Sequence, residues 1–76
     1  MVRETYEAIK DYHNKNEIVP SVTEILTKVS YTSKSTVIEC IKKLEELGYI
    51  KVIRNENGNM VARGIIILKS QWNKEG

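Results

Sequence analysis

The stretch SYTSKSTVIECIKKLEELGYI, residues 30–50, decides the fold. Val37, Cys40, Ile41, Leu44 and Leu47 recur at three- and four-residue spacing, the stripe that one face of an α-helix buries. The helix nevertheless opens before the stripe begins, at TSKST, with hydroxyls and a lysine that bring nothing to a core. Ser33 (or Thr32) is a candidate N-cap. Gly48 is the natural stop, because glycine accepts the left-handed conformation that follows a last turn. The spacing predicts a helix over about 33–47.

Upstream, Val2, Tyr6, Ile9 and His13 fall roughly on one face and predict a first helix over about 3–16, ended by the polar NKNE. EIV reads as a short extended piece, since Pro20 disfavours a helical Val19. Ser21 and Glu24 form the S-x-x-E capping box. Val22, Ile25, Leu26 and Val29 then give a second helix over about 22–29, too short to stand without packing. Downstream, YIKVIR and MVARGIIIL are β-rich and flank NENGN, whose Asn-Gly pair predicts a tight hairpin with both central residues at positive φ. The hairpin is expected over about 49–68, and QWNKEG as a frayed end. GIIIL, a continuous apolar run, is expected to be covered on both sides or used partly in association, with packing on the helices its main use.

The order is helix, short helix, tight turn, longer helix, hairpin. The second and third helices are spaced as a helix-turn-helix, and the hairpin makes a wing. The fold class is mainly α with a small β-hairpin: a three-helix bundle plus wing, one winged helix-turn-helix domain over residues 1–76. In such a fold the third helix packs its later turns on the bundle while its opening turns protrude toward the DNA major groove. A stripe that starts late is what this arrangement requires. Taken alone, TSKST fits a plain surface helix with a polar first turn equally well; the flanking short helix and hairpin favour DNA.

VPSVTEI, TSKSTVIECIKKLEELGYI and ARGIIIL, with the first-helix pattern, cover about residues 2–68 and together resemble the N-terminal DNA-binding domain of LexA-type repressors. The resemblance implies a winged helix that binds operator DNA as a transcriptional repressor. Carried over by position, Ser33, Lys34, Ser35, Thr36, Ile38 and Glu39 lie where the family's recognition helix meets bases and phosphates. Arg54 and Asn55, with the turn around Asn57, lie in the wing that approaches the backbone. Two departures stand out. Ser30 occupies a turn position where the family usually has glycine; positive φ there would cost about 1 kcal/mol. The family's self-cleaving domain, with its Ser–Lys dyad and most of the dimer contact, is not in these 76 residues, so self-cleavage does not transfer.

The side chains suit this use. Hydroxyls donate to phosphates or base edges, Lys34 reaches guanine acceptors or phosphate, and the Thr36 methyl touches a thymine methyl. Ile38 lies off the stripe and is expected to be exposed, to meet a thymine methyl or to pack on the turn. Glu39 is placed to accept from a cytosine amino group or simply to be solvated. Lys42, one turn beyond, reaches a phosphate, or forms with Lys43 part of a solvated face alternating with Glu39, Glu45 and Glu46. Arg63 contacts backbone from the wing or pairs with Glu56 across the hairpin. Trp72 caps the core or supports a dimer contact.

The net charge of +2 says little, but its distribution says more. Residues 1–26 carry three basic and five acidic side chains, net −2; residues 27–54 carry six and three, net +3. The basic middle suits a polyanion. One cysteine excludes an internal disulfide and fits a reducing cytoplasm; Cys40 reads as a small core residue. One His and one Cys far apart make no metal site. Ser33 and Lys34, neighbours pointing apart on a helix, make no catalytic dyad, so neither an enzyme nor a cofactor is expected. No apolar run approaches the roughly 18 residues of a membrane span. A single module buries only about 600–1,000 Å² on DNA, so dimeric or cooperative binding is expected. The short length suggests a phage- or mobile-element-type regulator or a domain of a longer chain. The competing reading from another class is a winged helix used for protein interaction, which requires an exposed apolar surface on the hairpin.

Overall fold

The computed structural model describes residues 2–72. They form α1 (Val2–Asn16), α2 (Val22–Leu26), α3 (Lys34–Glu46), β1 (Ile50–Arg54) and β2 (Met60–Ile67). The strands pair antiparallel, with Ile50 opposite Ile67, Lys51 opposite Ile66 and Val52 opposite Ile65. Three helices followed by this hairpin make the winged helix-turn-helix that the element order predicts.

The core lies between α1, the inner face of α3 and one face of the hairpin. Tyr6, Ile9, Ile25, Val37, Leu44 and Ile50 are its largest fully buried apolar side chains. Cys40 is buried as well. On α1 the buried strip includes Thr5 and Ala8, while His13 is exposed. His13 sits in the last turn, and its carbonyl accepts from the N–H of Glu17, whose φ of +61° ends the helix without a glycine.

α2 is shorter than its apolar spacing predicts. Its capping box is present in both directions: Ser21 N–H donates to Glu24 Oε1 at 2.9 Å, and Glu24 N–H to Ser21 Oγ at 3.3 Å. The far end tightens at once. The Thr27 hydroxyl and N–H both donate to the Glu24 carbonyl, which closes α2 at Leu26 instead of Val29. The next turn reaches Ser30 with no positive φ there. Ser30 N–H and Oγ instead donate to the two carboxylate oxygens of Glu4 on α1, at 2.6 and 3.1 Å. This serine therefore carries no left-handed strain.

α3 ends as its glycine predicts. Gly48 has φ +84°; its N–H donates to Glu45 O, and Tyr49 N–H to Leu44 O, the bond pair of a Schellman motif. The motif folds Tyr49 back beneath the helix end, where it is buried, and leaves Leu47 45% exposed. Leu47 thus does not extend the buried stripe, although its spacing matches. Tyr49, Tyr6 and Trp72 close this end of the core: Trp72 stacks on Tyr49 with ring centres 4.7 Å apart, and Tyr6 lies 5.2 Å from Tyr49. Trp72 is a core cap. Of the expected frayed end, residues 73–76 lie outside the described residues.

The hairpin loop differs from the expected two-residue turn. Asn55 pairs with Asn59, Gly58 N–H donates to Asn55 O, and only Gly58 has positive φ, at +83°. The Asn55 side-chain oxygen accepts from the N–H groups of Asn57 and Asn59. This side-chain turn stabilises a three-residue loop, so Asn57 is spared the left-handed conformation. GIIIL is covered on one face only. Ile65 is buried, whereas Ile66 and Leu68 are 42% and 56% exposed. EIV adds no strand to the sheet. No helix among the described residues is long and apolar enough to cross a membrane.

Candidate nucleic-acid interface

The opening turn of α3 stands clear of the bundle. Ser33, Lys34 and Ser35 are exposed and Thr36 half-buried; burial begins at Val37. Ser33 is the N-cap residue, with φ −96° and ψ 126°, but its hydroxyl makes no cap bond. Its carbonyl accepts from Thr36 and Val37 N–H, so the helix starts without using the side chain. A hydroxyl at the positive end of a 13-residue helix is thereby left to face outward.

Lys34, Ile38 and Lys42 recur at four-residue spacing and form one row along α3. This row is one wall of a groove of about 580 Å³. Arg54 and Gly58–Ala62 of the hairpin make the opposite wall, and Ser21, Val22 and Thr23 at the start of α2 close one end. Ile38 is 42% exposed, so it faces the groove without filling it. Ser33, Ser35 and Glu39 are exposed on α3 outside the groove lining. Asn55 and Asn57 stand at the hairpin tip, the former with its amide oxygen committed to the loop.

The cations of the site fall into two groups. Among the described residues, Lys34 and Lys42 make no ion pair, whereas Lys43 lies 3.9 Å from Glu46. Arg54 donates to both carboxylate oxygens of Glu45 at 3.1 Å. These bonds hold the Glu45 carboxyl below its usual range and raise Arg54. Arg63 pairs with Glu24 instead of Glu56. It donates through both nitrogens to Glu24 at 2.7 Å and through one of them to the Val19 carbonyl at 2.9 Å. The Arg63 bonds, helped by the Ser21 N–H, bring the Glu24 carboxyl down to about 2 from an ordinary 4.5.

Sequence reasoning passed over Thr23. The capping box carried the signal, since it fixes where α2 begins and sets Thr23 in its exposed first turn, on the groove.

A projecting helix start, a groove lined by two lysines and a hairpin wall give the molecule the architecture of a winged helix-turn-helix. The sequence model of one family, described as LexA DNA binding domain, matches residues 2–58. The chain belongs to that family, and its family activity is DNA binding. No curated protein matches it. The match ends at the hairpin turn; β2, which completes the wing, lies beyond it.

Proposed function

We propose that the chain is a sequence-specific double-stranded DNA-binding regulator of transcription, working in the cytoplasm as a repressor that occupies its operator. The observation that carries this reading is the exposed, hydroxyl-bearing start of α3 beside a groove holding two lysines that make no ion pair among the described residues. Lys34 reaches guanine or phosphate. Ser33, Ser35 and Thr36 donate to phosphates or base edges; Ile38 meets a thymine methyl and Glu39 a cytosine amino group. Lys42 and, from the wing, Arg54, Asn55 and Asn57 hold the sugar-phosphate backbone. The test is selection of bound duplexes from a random pool. A recovered consensus supports the reading, and an inverted repeat within it supports binding as a dimer. Lys34→Ala is then expected to weaken the selected duplex by about 1–3 kcal/mol and to relax preference at one position. A pool that emerges without sequence preference removes the regulator reading.

One observation favours a second use. Ile53 and Ile66 on the outer side of the hairpin are 44% and 42% exposed, and Leu68 is 56% exposed. This apolar side is the surface a protein-interaction module or a weak homodimer would use. Sedimentation of the protein alone and with duplex separates the two, since self-association raises the mass without any added partner.

A further inference from the structure

β2 departs from regular pairing close to the groove. Val52 faces Ile65 and Arg54 faces Met60, so the one residue Ile53 stands against the four residues Val61, Ala62, Arg63 and Gly64. Within this bulge Arg63 has φ +56°, a left-handed conformation that long side chains seldom adopt. Gly64 is closely enclosed: a Cβ there would lie 2.7 Å from Val61 Cγ2 and 2.9 Å from the Ile53 carbonyl. The bulge therefore needs the Gly64 position, and it turns Arg63 off the hairpin toward the start of α2.

Three segments meet at the Arg63 guanidinium. It makes two bonds to Glu24 of α2 and one to the Val19 carbonyl, and it lies 5.9 Å from the Tyr12 ring of α1. Glu24 Oε1 also accepts the Ser21 N–H of the capping box, so one carboxylate both caps α2 and fastens β2. Ser21–Thr23 close one end of the groove, and Met60–Ala62 form part of its hairpin wall. Each end of this contact thus adjoins the groove.

We infer that the Arg63–Glu24 pair is a latch that holds the wing at a fixed spacing from the helix-turn-helix, which makes Arg63 a positioning residue for DNA binding and not a phosphate ligand. The inference rests on the groove being the DNA-binding surface. Losing the latch lets the hairpin wall move away from α2, so affinity falls while the number of phosphate contacts stays the same.

The experiment compares wild type, Arg63→Ala, Glu24→Gln and the double variant, binding a short mixed-sequence duplex over a series of salt concentrations. Glu24→Gln retains a capping-box acceptor and removes only the charged partner, so it carries the test if Arg63→Ala fails to fold. Thermal melts establish the folded fraction, to which affinities are referred. Both single variants are expected to bind roughly 2- to 30-fold more weakly. The slope of log K against log salt stays at the wild-type value, and the double variant is no worse than either single one. A merely structural role would leave the affinity of the folded fraction unchanged, and that result overturns the latch. A slope shallower by about one in Arg63→Ala alone makes Arg63 a phosphate ligand and overturns it too. If wild type itself ignores duplex at low salt, the DNA-binding role of the groove fails, a result distinct from both.

Discussion

Glu24 shows how much one side chain can hold. Its carboxylate accepts from Ser21 N–H and from both terminal nitrogens of Arg63, and these bonds lower its pKa to about 2 from 4.5. A carboxyl with a depressed folded-state pKa contributes stability above its unfolded value and loses it as pH falls toward the folded one. The melting temperature of wild type is therefore expected to exceed that of Glu24→Gln at neutral pH. The gap should narrow as pH drops from about 4.5 to about 2 and stay closed below. A gap independent of pH would mean that the ionised carboxylate contributes nothing. Gly64 makes the complementary point about space. A methyl there meets the Ile53 and Val61 carbonyls at 2.9 Å, backbone atoms that cannot swing aside. Gly64→Ala is expected to destabilise the fold by about 1–3 kcal/mol in chemical denaturation. Gly58→Ala meets no atom within 4 Å and suffers only the strain of positive φ, a loss of about 1 kcal/mol.

At the scale of elements, α2 depends on its ends more than on its length. Five residues form no stable helix in water, so the capping box and the packing of Ile25 must hold it. Ser21→Ala removes the acceptor for Glu24 N–H and is expected to cost about 1 kcal/mol in urea unfolding. A cost near zero would show that packing alone suffices. The helix starts and the glycine stop at Gly48 were readable from the residues because caps act within a few positions. So was the late burial of α3, since helical spacing alone puts Val37 inward and Ser33–Ser35 outward. What could not be read depends on contacts distant in sequence. Ser30 is relieved by Glu4, 26 residues away, and Arg63 is turned to Glu24, 39 residues away, by a bulge that no periodicity announces. Leu47 matched the stripe but lost its place to Tyr49, because the Schellman turn reverses the chain before the next helical turn forms. At the hairpin, Asn-Gly identified the turn, but the Asn55 side chain selected its type.

For the whole molecule, the arrangement of partners matters more than the net charge of +2. Carboxylates take up Arg63 and Lys43, and Arg54 shares its charge with Glu45, so Lys34 and Lys42 are the groove's cations that make no ion pair among the described residues. A duplex that releases one counterion for each lysine it meets reports on these two directly, because log K falls with log salt in proportion to the phosphates neutralised. Lys42 and Lys43 are adjacent in sequence, equal in charge and both exposed. They differ in place: Lys42 lines the groove, while Lys43 lies outside it beside Glu46. Lys42→Ala is accordingly expected to make the salt dependence shallower by about one, with similar losses on every duplex sequence. Lys43→Ala should leave the slope where it was, since Lys43 lies outside the groove lining. Filter binding or fluorescence anisotropy across a salt series reads both variants side by side. Equal slopes for the two would mean that position along the groove does not select which lysine meets phosphate, and DNA would then have to sit across α3 at another angle.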